Sequence, residues 1–152
     1  MKYKKIAFIG HRDEKSDIKE KLKKLIIQKV FKGYTIFSMG NHGNFDKMCL
    51  EICKEIKQVI KLVEIEIVVT NKNKLKAIDE TYFSNIKTNL FECEDVYYKQ
   101  RIIESNKQMV KSCDLLICYV DPRRTKSGAK KIMEYAIKEK IDVINIYNEK
   151  DL

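Results

Sequence analysis

The strongest constraint on this chain is the order of its apolar segments. Short runs of strand length alternate with stretches whose apolar residues recur at helical spacing. Lys5 to Ile9 is an apolar run closed by Gly10, the pattern of a strand covered on both faces. From Ser16, read as a helix N-cap, apolar residues recur at Ile18, Leu22, Leu25, Ile26 and Val30, and Gly33 supplies the stop. Tyr34 to Phe37 predict a second strand. After the glycine-bearing turn "SMGNHGNFD", Met48, Ile52, Ile56, Val59 and Ile60 predict a second helix, and Ile65 to Thr70 a third strand.

Residues 71–96 break this rhythm, with Asn, Lys and Asp scattered among isolated apolar residues. They read as a long connection holding a short helix around Tyr82 to Ile86. Ile102, Ile103, Met109 and Val110 then predict a helix leading into "DLLICYV", the clearest strand of the chain. The loop "DPRRTKSG" contains the sole proline, a helix is expected from Gly128 to Lys140, and "VINIY" forms the last strand. Five strands alternating with helices predict an α/β fold. Right-handed crossovers cover both faces of a parallel sheet, which gives a Rossmann-like three-layer sandwich with a mainly parallel five-stranded sheet. A length of 152 residues fits one domain, spanning 1–152.

Composition narrows the setting. At 44% hydrophobic and 35% charged residues, the chain has the balance of a globular protein and not of a disordered one. The start "MKYKKIAFIG" is basic and then apolar, but its apolar run falls short of the roughly 7 to 15 residues of a secretory signal. No stretch approaches the roughly 18 apolar residues of a membrane span. The cytoplasm is the expected compartment, with no membrane partner. Cys49, Cys53, Cys93, Cys113 and Cys118 form no CxxC pair and lie in or beside apolar segments, so reduced, mostly buried thiols are expected and no metal site. The net charge of +9 raises the question of nucleic acid. Arginine occurs only at Arg12, Arg101, Arg123 and Arg124, however, and the lysines are spread along nearly every helix, which is the pattern of a solvated surface more than of a phosphate-reading patch.

In parallel α/β sheets ligands bind beyond the carboxyl ends of the strands, where strand order reverses. The chemistry-bearing residues gather at those ends. Gly10, His11 and Arg12 follow the first strand; Gly40, Asn41, His42, Gly43 and Asp46 follow the second; Asp121, Arg123, Arg124, Thr125, Ser127 and Gly128 follow the fourth. Gly43 and Gly128 each open a predicted helix, where a backbone without side chains lets an anion approach unpaired N–H groups. Arg12, Arg123 and Arg124 offer charge-assisted bonds to the same anion, and Asp46 either accepts from a ribose hydroxyl or caps its helix. His11 reads as a structural hydrogen-bonding residue or as a general acid or base. Neither GxGxxG nor GxxxxGK[ST] is present. No GxSxG elbow or HExxH motif occurs, and Glu134 lies two turns into its helix.

Four stretches in order, "IAFIGHR", "GNHGNFDKM", "SNKQMVKSCDLLICYV" and "SGAKKIMEYAIKEKIDVINI", resemble the SLOG superfamily. This Rossmann-like group includes the Lonely Guy phosphoribohydrolases and the DNA-processing protein A, and the similarity is greatest to its small YpsA-like branch. The resemblance implies a site for a nucleotide or nucleotide-derived ligand, formed by Gly10, His11, Arg12, Gly40, Asn41, Gly43, Asp46, Asp121, Arg124, Ser127 and Gly128. Gly10 would turn the chain sharply off the first strand and present His11 and Arg12 over the pocket. Two departures stand out. Ile132 occupies the place of the glutamate that serves N-glycosidic cleavage in Lonely Guy enzymes. Ser105 and Asn106 replace the Arg-Asn pair usual in the branch, with Arg101 one turn earlier.

Three functions follow as expectations. The first is a binding module that senses, carries or sequesters a nucleotide-like molecule, with no cofactor of its own and with a homo-oligomer as a possible assembly. The second is a nucleotide N-glycosidic hydrolase, a phosphoribohydrolase using Asp46 or Glu134. The third is single-strand nucleic-acid binding, drawn from the charge and from the DNA-processing relative.

Overall fold

The computed structural model describes residues 3–11, 18–40, 43–69, 86–90, 98–125 and 127–147, with the backbone alone for Val69, 86–90 and 98–101. Six strands form one sheet: β1 (Lys4–Gly10), β2 (Tyr34–Met39), β3 (Glu64–Val69), β4 (Ile86–Leu90), β5 (Leu115–Tyr119) and β6 (Asp142–Asn145). Four helices stand among the described residues: α1 (Lys19–Val30), α2 (Asn44–Val59), α3 (Tyr98–Lys111) and α4 (Gly128–Lys138). The sheet order is β4-β3-β2-β1-β5-β6, and every pairing is parallel. The fold is therefore the expected α/β three-layer sandwich. The strands read from the sequence are β1, β2, β3, β5 and β6.

The sixth strand, β4, lies inside the segment expected to be a connection. It pairs with β3 from Ile65↔Ile86 to Val69↔Leu90 and forms the sheet edge. Ile86, where the short helix was expected to end, begins this strand, and residues 82–85 lie outside the described residues. An edge strand needs only partial apolar coverage, so "IKTNL" carries no run that periodicity can find.

Pleating divides the core. Ile6 and Phe8 of β1 and Leu115 and Ile117 of β5 join Leu22, Leu25 and Ile26 of α1 and Phe45, Cys49 and Ile52 of α2 in one buried cluster. Their neighbours Ala7, Ile9, Leu116 and Cys118 meet Met109 and Val110 of α3 and Ile132 and Ala136 of α4 on the other face. Consecutive side chains of a strand point to opposite faces, which is why Ile6 to Ile9 of β1 and all of β5, buried on both faces, are apolar. A polar row also fixes the register of three strands: Ser38 Oγ donates to Glu66 Oε1 at 2.6 Å, and Lys5 Nζ sits 2.8 Å from the same oxygen.

Turn chemistry sets the helix ends. Gly33 takes φ +97° between α1 and β2, a conformation that favours glycine. α4 stops at Lys138, two residues before its expected end. Lys140 takes φ 61°, while the N–H groups of Lys140 and Ile141 donate to the carbonyls of Ile137 and Ala136, a Schellman closure. Residue Ile18 is the N-cap of α1 and gives no side-chain bond; the expected cap, Ser16, lies outside the described residues.

Candidate functional site

The sheet order reverses between β1 and β5. β1 is followed by a chain that moves to β2 and β3, and β5 by one that moves to β6, so the crevice at their carboxyl ends is the topological switch point. Gly10 and Tyr119, the last residues of the two strands, are paired there. A cavity of about 260 Å³ opens above them. Its walls come from four directions: Ile9, Gly10 and His11 at the end of β1, Gly43, Phe45 and Asp46 at the start of α2, Ile102, Ile103 and Asn106 of α3, and Arg124, Ser127 and Gly128 before and at the start of α4.

Gly10 ends β1 as the sequence indicates, but for a different reason. It keeps an ordinary strand conformation and makes no left-handed turn. A Cβ at this position would stand 2.3 Å from Phe45 Cγ and 2.4 Å from Phe45 Cδ2, well inside van der Waals contact. The missing side chain is therefore a seat for Phe45, which is 1% exposed, and this seat brings the first turn of α2 over the end of β1.

His11 is 4% exposed and ties three elements together. Its Nε2 accepts the Asp121 main-chain N–H at 2.8 Å. A main-chain N–H can only donate, so the neutral ring carries its proton on Nδ1, which faces Ser127 Oγ at 3.3 Å. Ser127 Oγ also accepts the Lys130 N–H at 3.2 Å and so caps α4. Its two acceptor positions are then used, and its own proton is the one left to donate. Both ring nitrogens of His11 serve the architecture, in line with the structural reading of this residue.

Asp121 does not line the cavity. Its carboxylate instead closes on Arg123, accepting from the main-chain N–H at 2.9 Å, from Nε at 3.0 Å and from Nη2 at 2.9 Å. The Arg123 side chain and main-chain N–H together hold the Asp121 carboxyl down to about 2, and the carboxylate in turn raises the guanidinium. Arg123 Nη2 also donates to Tyr147 Oη at 3.0 Å. Asp121 and Arg123 together form a bracket that shapes the β5–α4 loop. Asn145, which the sequence reading passed over, completes it: its side chain accepts the Val120 N–H at 3.0 Å and donates to the Val120 carbonyl at 2.9 Å.

The remaining candidates divide. Gly43 and Gly128 do open α2 and α4, and Asp46 and Arg124 line the cavity. Gly40 is buried directly after β2 and is not part of the wall. Arg12, Asn41 and His42 lie outside the described residues, as does the side chain of Arg101. Gly43 is extended and provides no side-chain cap, whereas α4 is capped by Ser127. In both helices the first N–H groups have no intrahelical acceptor, and both helix dipoles turn their positive ends toward the cavity. An added Cβ at Gly128 would meet nothing within 4 Å, so this glycine leaves space open in the site and relieves no clash.

Phe45, Ile102, Ile103 and Asn106 were missed as site residues. The Asn of "SNKQ" was the available signal, because Asn106 reaches the cavity while its neighbour Ser105 turns to the core, 1% exposed and without a hydrogen-bond partner for Oγ among the described residues. Ile132, at the place of the catalytic glutamate in Lonely Guy enzymes, is fully buried in the core. Glu134 is exposed and outside the cavity wall, which leaves Asp46 as the single carboxylate among the described lining residues.

Among the described residues the thiols offer no nucleophile; Cys93 lies outside them. Cys49, Cys53, Cys113 and Cys118 are buried and free; burial pushes Cys118 up to about 12 and Cys113 to about 11, and raises Cys49 and Cys53 as well. Among the described residues no group of three His, Cys, Asp or Glu side chains converges as metal ligands would, and no helix is long and apolar enough to cross a membrane.

No family model matches the chain, and no curated protein does. Among solved structures, the chain is similar to a member of the enolase superfamily from Listeria innocua, with 16% identity and a TM-score of 0.35. The match covers 93% of this chain and 42% of that one.

Proposed function

We propose that this protein is a cytoplasmic module that binds a nucleotide or nucleotide-derived ligand in the cavity between β1 and β5. The observation that carries the reading is the convergence of two helix N-termini on one cavity at the switch point, with Gly128 leaving its share of that space open. A phosphate group fits this arrangement, because the orphan N–H groups of α2 and α4 and the positive ends of their dipoles supply donors without a buried cation. Ser127 Oγ adds a donor and Arg124 a charge, while Ile9, Phe45, Ile102 and Ile103 provide an apolar wall against which a base can lie, with the Asn106 amide available to read its edge. The resemblance of the four sequence stretches to the SLOG superfamily supports the same reading.

The experiment is thermal-shift titration with a nucleotide panel, joined to native mass spectrometry of the gently purified protein. A nucleotide that stabilises the fold and is recovered intact is the expected result. Gly128→Ala sharpens it. The added methyl meets no protein atom, so folding stability holds or rises by a few tenths of a kcal/mol, while nucleotide affinity falls at least about 10-fold if a phosphate occupies that space. Unchanged affinity in this variant would remove the phosphate from the start of α4.

The hydrolase reading rests on Asp46, the one described carboxylate on the wall. It is favoured only if free base and ribose phosphate accumulate during incubation and Asp46→Asn stops them.

A further inference from the structure

The described residues include five large apolar side chains that are strongly exposed: Tyr3, Phe31, Val59, Leu62 and Ile137. All five lie at the end of the sheet where the strands begin, opposite the cavity. Tyr3 precedes β1, Phe31 follows α1, Val59 ends α2, Leu62 lies in the turn before β3, and Ile137 is in the last turn of α4. Scattered exposed apolar residues are ordinary; among the described residues these five gather at one end.

Four of the five are neighbours through the chain's own geometry. The Lys4 N–H donates to the Gly33 carbonyl at 3.1 Å, which joins the start of β1 to the turn carrying Phe31. β2 pairs with β3 at Ile36↔Glu64, and α1 packs beside α2, so Val59 and Leu62 stand next to that turn. Exposure reaches 82% for Phe31 and 83% for Val59.

The charge around four of them is mostly positive. Segments 3–4, 29–33 and 57–64 contain Lys4, Lys29, Lys32, Lys57 and Lys61 against a single acid, Glu64. Helix dipoles account for Lys29 and Lys57 in the last turns of α1 and α2, and Lys4 Nζ stands over the Tyr34 ring at 5.1 Å, which leaves Lys32 and Lys61. The other acids of this end, Asp114, Glu139 and Asp142, lie on the side of β5, α4 and β6.

We infer that this end of the molecule is a docking face for an anionic lipid surface. A second copy of the same face is disfavoured, because it would set lysines against lysines. Nucleic acid would use the lysines and could stack a base on Tyr3 or Phe31, but Val59 and Leu62, exposed beside them, add nothing to such a contact and do add to an apolar one. An anionic bilayer takes both components, the lysines at its headgroups and the apolar side chains at the headgroup–acyl boundary. The contact needs no spanning helix, and so revises the expectation of no membrane partner, which rested on the lack of one. Docked this way, the cavity at the opposite end faces away from the lipid and stays open to its ligand.

Co-sedimentation of the intact chain with phosphatidylcholine vesicles, with and without phosphatidylglycerol, tests the inference. Binding is expected only with phosphatidylglycerol and should weaken with salt. Phe31→Ser should lower partitioning about 10-fold, and Lys32→Ala and Lys61→Ala about 5-fold each. These positions are exposed, and circular dichroism checks that each variant is folded. Failure to bind phosphatidylglycerol vesicles overturns the inference. So does binding that the lysine variants abolish but Phe31→Ser and Val59→Ser leave unchanged, since that is a purely electrostatic contact of the kind a phosphodiester chain would also make.

Discussion

The two helix starts that close the cavity are held in opposite ways. α2 begins at Gly43 without a side-chain cap, and what fixes its first turn is steric: Phe45 fills the space that Gly10 leaves empty. α4 begins after a loop held by polar groups, with His11 bridging Asp121 and Ser127, Ser127 capping the helix, and Asn145 completing the backbone of Val120. A packed seat is rigid and fails abruptly when a single atom is added, since interiors have no slack. A hydrogen-bonded network fails by parts, each lost partner leaving one unsatisfied group. Both deliver main-chain N–H groups to one place.

The sharpest way to break this contrast is at the seat. Gly10→Ala puts a methyl 2.3 Å from Phe45 Cγ, where the ring has to move or the strand has to bend. A destabilisation of about 3 kcal/mol is expected, measured by urea unfolding. Adding Phe45→Leu to Gly10→Ala should recover part of it, which a simple loss of backbone freedom at position 10 would not allow. Nucleotide affinity should fall with the single change, because the start of α2 moves with Phe45.

On the polar side, His11→Ala leaves the Asp121 N–H without its acceptor and removes one of the two donors to Ser127. About 2 kcal/mol of stability should be lost. Hydrogen exchange should quicken at Asp121 and in the first turn of α4 while α2 stays protected. If the α2 amides exchange faster as well, the two helix starts are one unit and the contrast drawn above fails.

Ser127→Ala is a smaller cut in the same network. It removes a cap worth about 1 kcal/mol and the hydroxyl proton proposed to meet the ligand. Stability measurements should give that loss alone, and thermal-shift titration should show a weaker ligand response. Ser127→Thr, which keeps the oxygen, should restore the stability.

Much of this could be read before the structure, and the limits have physical causes. β1 and β5 were legible because Ile6 to Ile9 and Leu115 to Tyr119 are covered on both faces and therefore apolar, whereas β4 was hidden because an edge strand is free to alternate. The glycines that open α2 and α4 were legible from their places at strand ends. Why Gly10 is a glycine was not, because its partner Phe45 lies thirty-five positions away and nothing local marks the contact. The ion pair of Asp121 was hidden for a related reason: nothing in the sequence shows that the carboxylate beyond the strand closes on the arginine two residues on.

The smallest expected effect lies at that ion pair. In the folded chain the Asp121 carboxyl is lowered from 3.8 to about 2, so the bracket adds stability above the unfolded carboxylate value and loses it as pH falls through about 2. The Arg123 side chain is 79% exposed, and exposed pairs are screened by water and salt. The gain should therefore be slight, and visible mainly as a titration. Carbon NMR of the Asp121 carboxyl should show a midpoint near 2 in the wild type and a return toward the ordinary carboxylate range in Arg123→Ala. The cavity end of the loop should be nearly unmoved, because His11 grips the Asp121 main chain and not its side chain. If Arg123→Ala instead weakened nucleotide binding as much as His11→Ala does, the bracket and the histidine bridge would have to be one device, and the polar network would share the all-or-none character of the Phe45 seat.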